Sequence, residues 1–156
     1  MTRESKYFLT VIRAKDLLCN EALLLDVLSL VERVYDSEHK ETFLEELKNS
    51  PDTLVAFITI NFMVVGLGCI CESHASFGVY ELFWGMVDEE HRGKGLGKTL
   101  VEKRIQFVRE SCVGKHKPTD FIAVTEKTWH LYRCGFTVIK KLKSGDCDEY
   151  LMHKQS

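Results

Sequence analysis

The chain has 156 residues, of which 45% are hydrophobic and 28% charged, and its formal net charge is −2 at pH 7. These values are typical of one ordinary globular domain, and we expect residues 1–156 to form it. The charge disfavours a nucleic-acid binder, and each apolar run is shorter than the ~18 residues of a membrane span. Since no signal-peptide core follows the start, we expect a cytoplasmic protein that binds neither nucleic acid nor membrane.

Six cysteines and six histidines are dispersed along the chain. They form no Cys-x-x-Cys and no His-x-x-x-His pair, which are spacings typical of redox and metal sites. Cys69 and Cys71 alternate on a predicted strand. We therefore interpret the cysteines as small apolar residues of a reducing compartment, and we predict no metal site.

The spacing of apolar residues in the first half of the chain predicts one strand, two helices and a hairpin. Alternation at every second residue is typical of strands, and recurrence at every third or fourth residue is typical of helices. In chain order, these elements are strand 7–13, helices 16–35 and 41–49, and strands 53–60 and 63–72. Gly66 and Gly68 interrupt the last strand and suggest a bulge.

The second half predicts a strand, a long helix, a second strand, a short helix and a final hairpin. The apolar run 79–87 is the candidate central strand, and an amphipathic helix of about four turns follows from Leu96 to Cys112. Strand 121–124 is wholly apolar, as in a parallel pair. The last elements are a helix from Thr125, as N-cap, to Cys134, with Gly135 at its C-cap, and hairpin strands 136–142 and 148–153. This order predicts a mixed α/β (α+β) fold with one parallel β-α-β unit.

A glycine-rich stretch, residues 87–98, joins the central strand to the long helix. It reads Val-Asp-Glu-Glu-His-Arg-Gly-Lys-Gly-Leu-Gly-Lys. Glycine lets the backbone approach a ligand closely, and the first N–H groups of a helix have no partner within it. Because these groups lie at the positive end of the helix dipole, the stretch is suited to binding phosphate.

Two common phosphate-binding patterns do not fit this stretch. The nucleotide-hydrolase loop G-x-x-x-x-G-K-[ST] would end at Gly97-Lys98-Thr99, but it requires glycine where the chain has Arg92. The dinucleotide pattern G-x-G-x-x-G would begin at Gly93, but it requires glycine where the chain has Lys98. A third pattern, R-x-x-G-x-G, fits from Arg92 to Gly97 throughout.

With Val87 five residues before Arg92, this motif resembles the cofactor loop of the GNAT superfamily of acyl-CoA-dependent N-acyltransferases. Val64-Val65-Gly66 is similar to the third strand of that family. Tyr132-Arg133-Cys134-Gly135-Phe136 is similar to its Tyr-x-x-Gly-Phe motif. The resemblance covers nearly the whole chain. It implies a GNAT-like single domain with a central mixed, mostly antiparallel sheet of six to seven strands flanked by about four helices.

The resemblance also implies that acetyl-CoA is a co-substrate. Its pyrophosphate would bind the loop, and its pantetheine arm would lie where the central strand bends away from the next strand. A bulge would produce this splay, and a freed N–H group would polarise the acetyl carbonyl. The residues implied in this binding are Met86, Val87, Arg92, Gly93, Lys94, Gly95, Leu96, Gly97 and Lys98.

Two residues are candidates for catalysis. An amine with a pKa near ~10 is mostly protonated, so a base or a water chain must first take its proton. Glu81 lies six residues before Val87, where members of the family often have a carboxylate, although a solvated glutamate fits the position equally well; His130 and Glu126 are weaker candidates for the base. Tyr132 matches the tyrosine that protonates the departing thiolate in many members.

The resemblance thus implies transfer of an acetyl group from acetyl-CoA to a primary amine by direct attack in a ternary complex. The alternative is a non-catalytic module that binds or senses acyl-CoA. The acceptor, a small molecule or a peptide, is not identified. Acidic residues outnumber basic ones on the first two predicted helices, which would suit a cationic small molecule. A homodimer is left open.

Overall fold

The computed structural model describes residues 6–111 and 116–156 and contains one seven-stranded sheet with helices on both faces. The elements in chain order are β1 (Phe8–Arg13), α1 (Ala14–Leu18), α2 (Glu21–Val34), α3 (Ser37–Asn49), β2 (Leu54–Ile60), β3 (Met63–Glu72), β4 (Val79–Val87), α4 (Leu96–Ser111), β5 (Asp120–Thr125), α5 (Trp129–Tyr132), β6 (Thr137–Ser144) and β7 (Cys147–Gln155). Cys112, predicted on the long helix, lies outside the described residues.

The strands follow the order β1-β2-β3-β4-β5-β7-β6 across the sheet. Neighbours are antiparallel except β4 and β5, which are parallel and are connected through α4. This confirms the predicted mixed α/β fold with a mostly antiparallel sheet and one parallel β-α-β unit. Among the described residues there are five helices, one more than the resemblance implies.

Both faces of the sheet are covered by core side chains. On β2, Val55 and Phe57 pack with helices α1 to α3 on one face, while Leu54, Ala56 and Ile58 pack on the face that α4 covers. This alternation follows from the two-residue period of a strand. Because both faces are buried, β2 and β3 are apolar almost throughout.

The first predicted helix is wrong in one respect, because the structure divides it into α1 and α2. The side chain of Asn20 accepts a hydrogen bond from the backbone N–H of Leu23 at 3.1 Å and so caps α2. Helix α3 begins at Ser37, four residues before its predicted start, and Asp36 accepts a bond from the N–H of His39 at 2.8 Å. Both starts are N-caps of the residue types that favour this position.

The helix predicted from Thr125 is also wrong at its start. Thr125 ends β5, and its hydroxyl oxygen accepts a hydrogen bond from the N–H of Lys127 at 3.2 Å, whereas α5 begins only at Trp129. The helix also ends at Tyr132, two residues before the predicted end at Cys134, but Gly135 does adopt the left-handed conformation expected of a glycine after a helix. Gly135 has a φ of 86°, and its N–H donates to the carbonyl oxygen of Tyr132 at 3.1 Å. A left-handed glycine that closes a helix in this way is a common C-terminal motif.

In the part of the chain that the structure describes, no helix combines the length and hydropathy needed to cross a membrane. Over the same residues, no group of three or more His, Cys, Asp or Glu side chains is arranged to hold a metal ion.

Candidate active site

β4 separates from its parallel neighbour halfway along its length. Residues 79–82 pair with residues 120–123 of β5, and the pairing ends there. The edge of residues 83–87 that faces β5 therefore has backbone groups available to an extended ligand. The side chain of Met86 is buried with the core, so its contribution to such a ligand would come from its backbone. The splay expected at the end of the central strand is present.

A bulge in β4 accompanies the splay. The register with β3 shifts between Leu67 and Cys69, so two residues of β4, Trp84 and Gly85, stand opposite Gly68. Trp84 has a φ of 53°, in the left-handed region that large residues seldom adopt. The extra residue shifts the alternation of side chains along β4. Trp84 therefore lies on the face covered by α1 to α3, and Gly85 faces α4. A second register shift, between β2 and β3, confirms the bulge predicted beside Gly66.

The glycine loop is open on its outer side. Gly93 and Gly95 both have a φ of 77°, and a Cβ at either position would meet no atom of the described residues within 4 Å, its chain neighbours aside. The N–H of Thr99 donates to the carbonyl oxygen of Gly95 at 3.0 Å, which closes the first turn of α4. The N–H groups of Leu96, Gly97 and Lys98 then lie in the first turn, where an α-helix offers them no acceptor. An exposed backbone at the positive end of a helix suits a pyrophosphate.

The loop is attached to the end of β4. Nε of Arg92 donates to the carbonyl oxygen of Val87 at 2.9 Å, and a Cβ on Gly97 would lie 3.9 Å from Cγ2 of Val87. These contacts hold the loop beside the splayed edge. The exposed backbone of the glycine loop and the available strand edge are therefore neighbours.

The two lysines of the loop are exposed. Lys98 forms an ion pair of 3.6 Å with Glu102 on the surface of α4. Lys94 extends into solvent. Exposed ion pairs contribute little to stability, so both side chains can turn toward a bound anion at small cost.

Glu81 lies in the paired part of β4, between Cys71 of β3 and Ile122 of β5. Because Tyr80 and Leu82 face α4, the alternation of the strand turns Glu81 to the opposite face. Burial raises the pKa of the Cys71 thiol to about 11, and the nearby carboxylate of Glu81 adds to the rise. Glu81 thus stands just before the splay, on the side of helices α2 and α3.

Tyr132 ends α5 and is half exposed. The adjacent Leu131 is buried with side chains of α4, so α5 packs on the α4 face of the sheet. Glu81 and Tyr132 therefore lie on opposite faces, and the structure does not bring them together. Burial lowers the pKa of His130, and the charge of Arg104 lowers it further, so this imidazole is neutral at pH 7.

The sequence analysis did not select Arg104, a buried cation beneath the bulge. Arg104 belongs to α4 and is only 3% exposed. Nε donates to the carbonyl oxygen of Leu100 at 3.0 Å, and Nη1 donates to those of Cys69 and Phe83 at 2.7 and 3.4 Å. Burial lowers its pKa to about 10, so it stays charged at neutral pH. The side chain fits because Gly68 has none, since a Cβ there would lie 2.5 Å from Cζ of Arg104.

Aromatic rings and carboxylates line the other face near the bulge. Tyr35 and His39 stack with 5.0 Å between their ring centroids, and Trp84 meets His39 edge-on at 6.4 Å. The indole N–H of Trp84 donates to Glu46, which lines a cavity of about 120 Å³ between α3 and β4. Burial raises the pKa of Tyr35, and the charge of Glu126 raises it further. This surface combines negative charge with aromatic rings.

A mixed sheet that opens between two parallel strands, beside a glycine loop that begins a helix, defines an acyltransferase type of fold. The family model described as "Acetyltransferase (GNAT) family" matches residues 20–136. The chain therefore belongs to the GNAT family of acetyltransferases, and the resemblance drawn from its motifs is confirmed.

Solved structures share this fold at low sequence identity. The aminoglycoside 6′-N-acetyltransferase from Enterococcus faecium is 14% identical, with a TM-score of 0.75 over 95% of this chain and 96% of that one. An aminoglycoside 6′-N-acetyltransferase complexed with coenzyme A is also 14% identical, with a TM-score of 0.74 over 95% of this chain and 96% of that one. The ribosomal-protein-alanine N-acetyltransferase from Brucella melitensis is 22% identical, with a TM-score of 0.66 over 96% of this chain and 99% of that one. No curated protein sequence matches the chain.

Proposed function

We propose that this protein is an N-acetyltransferase that transfers an acetyl group from acetyl-CoA to a primary amine by direct attack in a ternary complex. The observation that carries the proposal is the splay of β4 from β5 directly beside the open glycine loop. An extended thioester that ends in a pyrophosphate requires both features, a strand edge for its arm and a backbone cradle for its phosphates. One structural neighbour of this family is complexed with coenzyme A.

The loop and the strand end would hold the co-substrate in separate ways. N–H groups of Gly93 to Lys98 would bind the pyrophosphate, and Arg92, Lys94 and Lys98 would add positive charge. Backbone groups of Met86 and Val87 would pair with the pantetheine arm. When bound, acetyl-CoA supplies an acyl group activated as a thioester.

Residues on the two faces of the sheet would move the protons. Glu81 takes a proton from the acceptor ammonium, directly or through water, on the side of α2 and α3. Tyr132 gives a proton to the sulfur as the C–S bond breaks and the amide C–N bond forms, and it regains one from solvent. An N–H group of the bulged strand stabilises the negative charge that develops on the carbonyl oxygen. Since the sheet opens between the two faces, a carbonyl held in the splay is accessible from both.

The acceptor we propose is a cationic amine that approaches from the side of α2 and α3. Three of the acidic side chains there are paired with a basic side chain; these pairs are Glu32–Lys40, Asp36–His39 and Glu45–Lys48. Glu46 accepts a hydrogen bond from the indole N–H of Trp84, and the negative charge of Glu126 acts on Tyr35 strongly enough to raise its pKa. Aromatic faces and carboxylates together attract ammonium groups. Both a small molecule and a peptide amine fit this description.

The decisive experiment incubates the protein with acetyl-CoA and a panel of amines while free thiol is measured. The panel includes polyamines, aminoglycosides, amino acids, and peptides with a free N-terminus or a lysine. We expect at least one cationic amine to raise thiol release well above hydrolysis. A rise in melting temperature with acetyl-CoA, without release for any amine, would identify the non-catalytic sensing module. The absence of both would contradict the proposal.

A further inference from the structure

Arg104 brings a full positive charge into the interior without a carboxylate partner among the described residues. Its Nε and Nη1 atoms donate three hydrogen bonds, all of them to backbone carbonyl oxygens. The charges that influence its pKa after burial come from Cys69 and Cys134, both thiols with pKa values raised above the usual range. A buried cation is costly unless an anion compensates it. This site is therefore electrostatically incomplete.

The remaining donor of Arg104, Nη2, lies below an opening in the sheet. It forms no hydrogen bond within residues 6–111 and 116–156. Apart from its neighbours in the chain, the only described atom within 4 Å of a Cβ on Gly85 would be Nη2, at 3.6 Å. Gly85 is exposed, whereas Arg104 is 3% exposed. The missing side chain of Gly85 thus leaves a route from solvent to Nη2.

This route lies in the splayed part of β4. Gly85 belongs to residues 83–87, beyond the last residue that pairs with β5. The bulge turns Gly85 toward α4, which carries Arg104. An acyl group held between β4 and β5 would therefore have a guanidinium group beneath it.

We propose that Nη2 of Arg104 binds a carboxylate at the far end of the acyl group, so that the protein accepts, besides acetyl-CoA, the CoA thioester of a short dicarboxylic acid and binds it more tightly than an uncharged thioester of the same length. This inference rests on the proposed function, because the splay must hold a CoA thioester. An acetyl group brings no anion to the guanidinium, and an alkyl chain would bury it further. A carboxylate supplies the missing charge and a strong acceptor for the unused N–H groups.

The transfer reaction needs no new reactant. The amine nitrogen forms an amide bond with the thioester carbonyl carbon, the C–S bond breaks, and the sulfur leaves with a proton. The terminal carboxylate is carried unchanged into the product. Only the identity of the acyl group differs from acetyl transfer.

Succinyl-CoA and butyryl-CoA provide a matched test, because both acyl groups have four carbons and only the first ends in a carboxylate. Dissociation constants are measured by calorimetry for both thioesters, for acetyl-CoA and for free CoA. We expect the native protein to bind succinyl-CoA about tenfold or more tighter than butyryl-CoA, as for a hydrogen bond to a charged group. Equal affinity, or tighter binding of butyryl-CoA, overturns the proposal.

Two variants locate the preference at Nη2. Gly85→Ala places a methyl group 3.6 Å from Nη2, an ordinary contact at a residue outside the left-handed region, and should remove the preference with the fold intact. Arg104→Met removes the charge and should have the same effect. Arg109→Met is the control, because Arg109 is an exposed arginine of the same helix with Nε bonded to Ser156 at 3.2 Å. It should retain the full preference.

The outcomes separate this inference from the proposed function. A preference that persists in both Gly85→Ala and Arg104→Met overturns the role of Arg104. If Arg104→Met does not fold, Gly85→Ala alone provides the test. An unchanged ratio of the dissociation constants for butyryl-CoA and succinyl-CoA in Gly85→Ala then overturns the proposal. Binding of free CoA and acetyl-CoA without a succinyl preference refutes only the acyl inference. If no CoA compound binds, the proposed function fails as well.

Discussion

The side chain of Arg92 turns back along its loop and donates a 2.9 Å hydrogen bond from Nε to the carbonyl oxygen of Val87. This bond joins the first residue of the glycine motif to the last residue of β4. The arginine therefore contributes positive charge and also fixes the loop relative to the splayed strand edge.

Replacing Arg92 should separate these two contributions. Arg92→Lys keeps the charge but lacks the planar Nε donor, so coenzyme A affinity should fall roughly fivefold, the effect of one ordinary hydrogen bond. Arg92→Met loses both contributions and should bind more weakly still. Calorimetric titration with coenzyme A measures both effects. Native affinity in Arg92→Lys would show that the bond to Val87 is not needed.

A matched pair at Gly97 tests the helix N-terminus as the phosphate site. In Gly97→Ala the new methyl group would lie 3.9 Å from Val87, so the stability and the coenzyme A-induced rise in melting temperature should both persist. Gly97→Glu places a negative charge where the helix dipole favours it, so the fold should be retained. The same charge should repel the pyrophosphate and abolish the rise. Thermal denaturation with and without coenzyme A measures this, and a full rise in Gly97→Glu would exclude the N-terminus as the site.

Tyr132→Phe tests the proton donor. The ring remains and only the hydroxyl is lost, so coenzyme A affinity should stay constant while kcat falls about a hundredfold, as for loss of a general acid. Steady-state thiol release with the best amine measures kcat. Tyr7→Phe, an exposed tyrosine before the edge strand β1, is the control. Unchanged turnover would remove Tyr132 from the mechanism.

Glu81→Gln tests both the base and its position. Loss of the base should lower kcat by about a hundredfold or more. Burial, followed by the negative charge of Glu81, raises the pKa of Cys71 to about 11. Removing that charge favours the thiolate, so the pKa of Cys71 should fall and alkylation of its thiol should begin at lower pH.

Mass spectrometry of iodoacetamide-labelled protein over a range of alkaline pH follows Cys71 directly. Glu149→Gln, which removes a partly buried carboxylate from β7, should leave the labelling profile of Cys71 unchanged. A native labelling profile in Glu81→Gln would contradict the proximity of the carboxylate and the thiol. A native kcat in Glu81→Gln would show that Glu81 is not the base and that water removes the proton.

Most of the fold could be predicted because its signals are local. The bounds of β3 and β4 are those predicted, since each is a mostly apolar run that ends at polar residues. The break between α1 and α2 was missed because apolar residues keep helical spacing across it. Asn20 was the available signal, since asparagine favours the N-cap position.

In the candidate site, too, features encoded by a local sequence pattern could be predicted, whereas features that depend on strand pairing could not. The loop from Arg92 to Gly97 is contiguous, so its motif, read with the preceding strand and the Tyr-x-x-Gly-Phe segment, could be compared with the cofactor loop of the GNAT family. The bulge at Trp84 and Gly85 depends on how β4 pairs with β3, which no local pattern encodes. Arg104 lies between Leu100 and Val108 in a row of every fourth residue, and a charge within that apolar row was a signal that could have revealed it.

The contact between Gly68 and Arg104 also has an evolutionary consequence. Because a Cβ at position 68 would lie 2.5 Å from the guanidinium carbon, any side chain there is incompatible with the arginine in its present place. Loss of the arginine, in contrast, leaves the glycine without a steric reason to persist. The two positions should therefore vary together among descendants of this chain, with the arginine replaced first. A change in acyl preference would then be followed by a larger residue on the neighbouring strand.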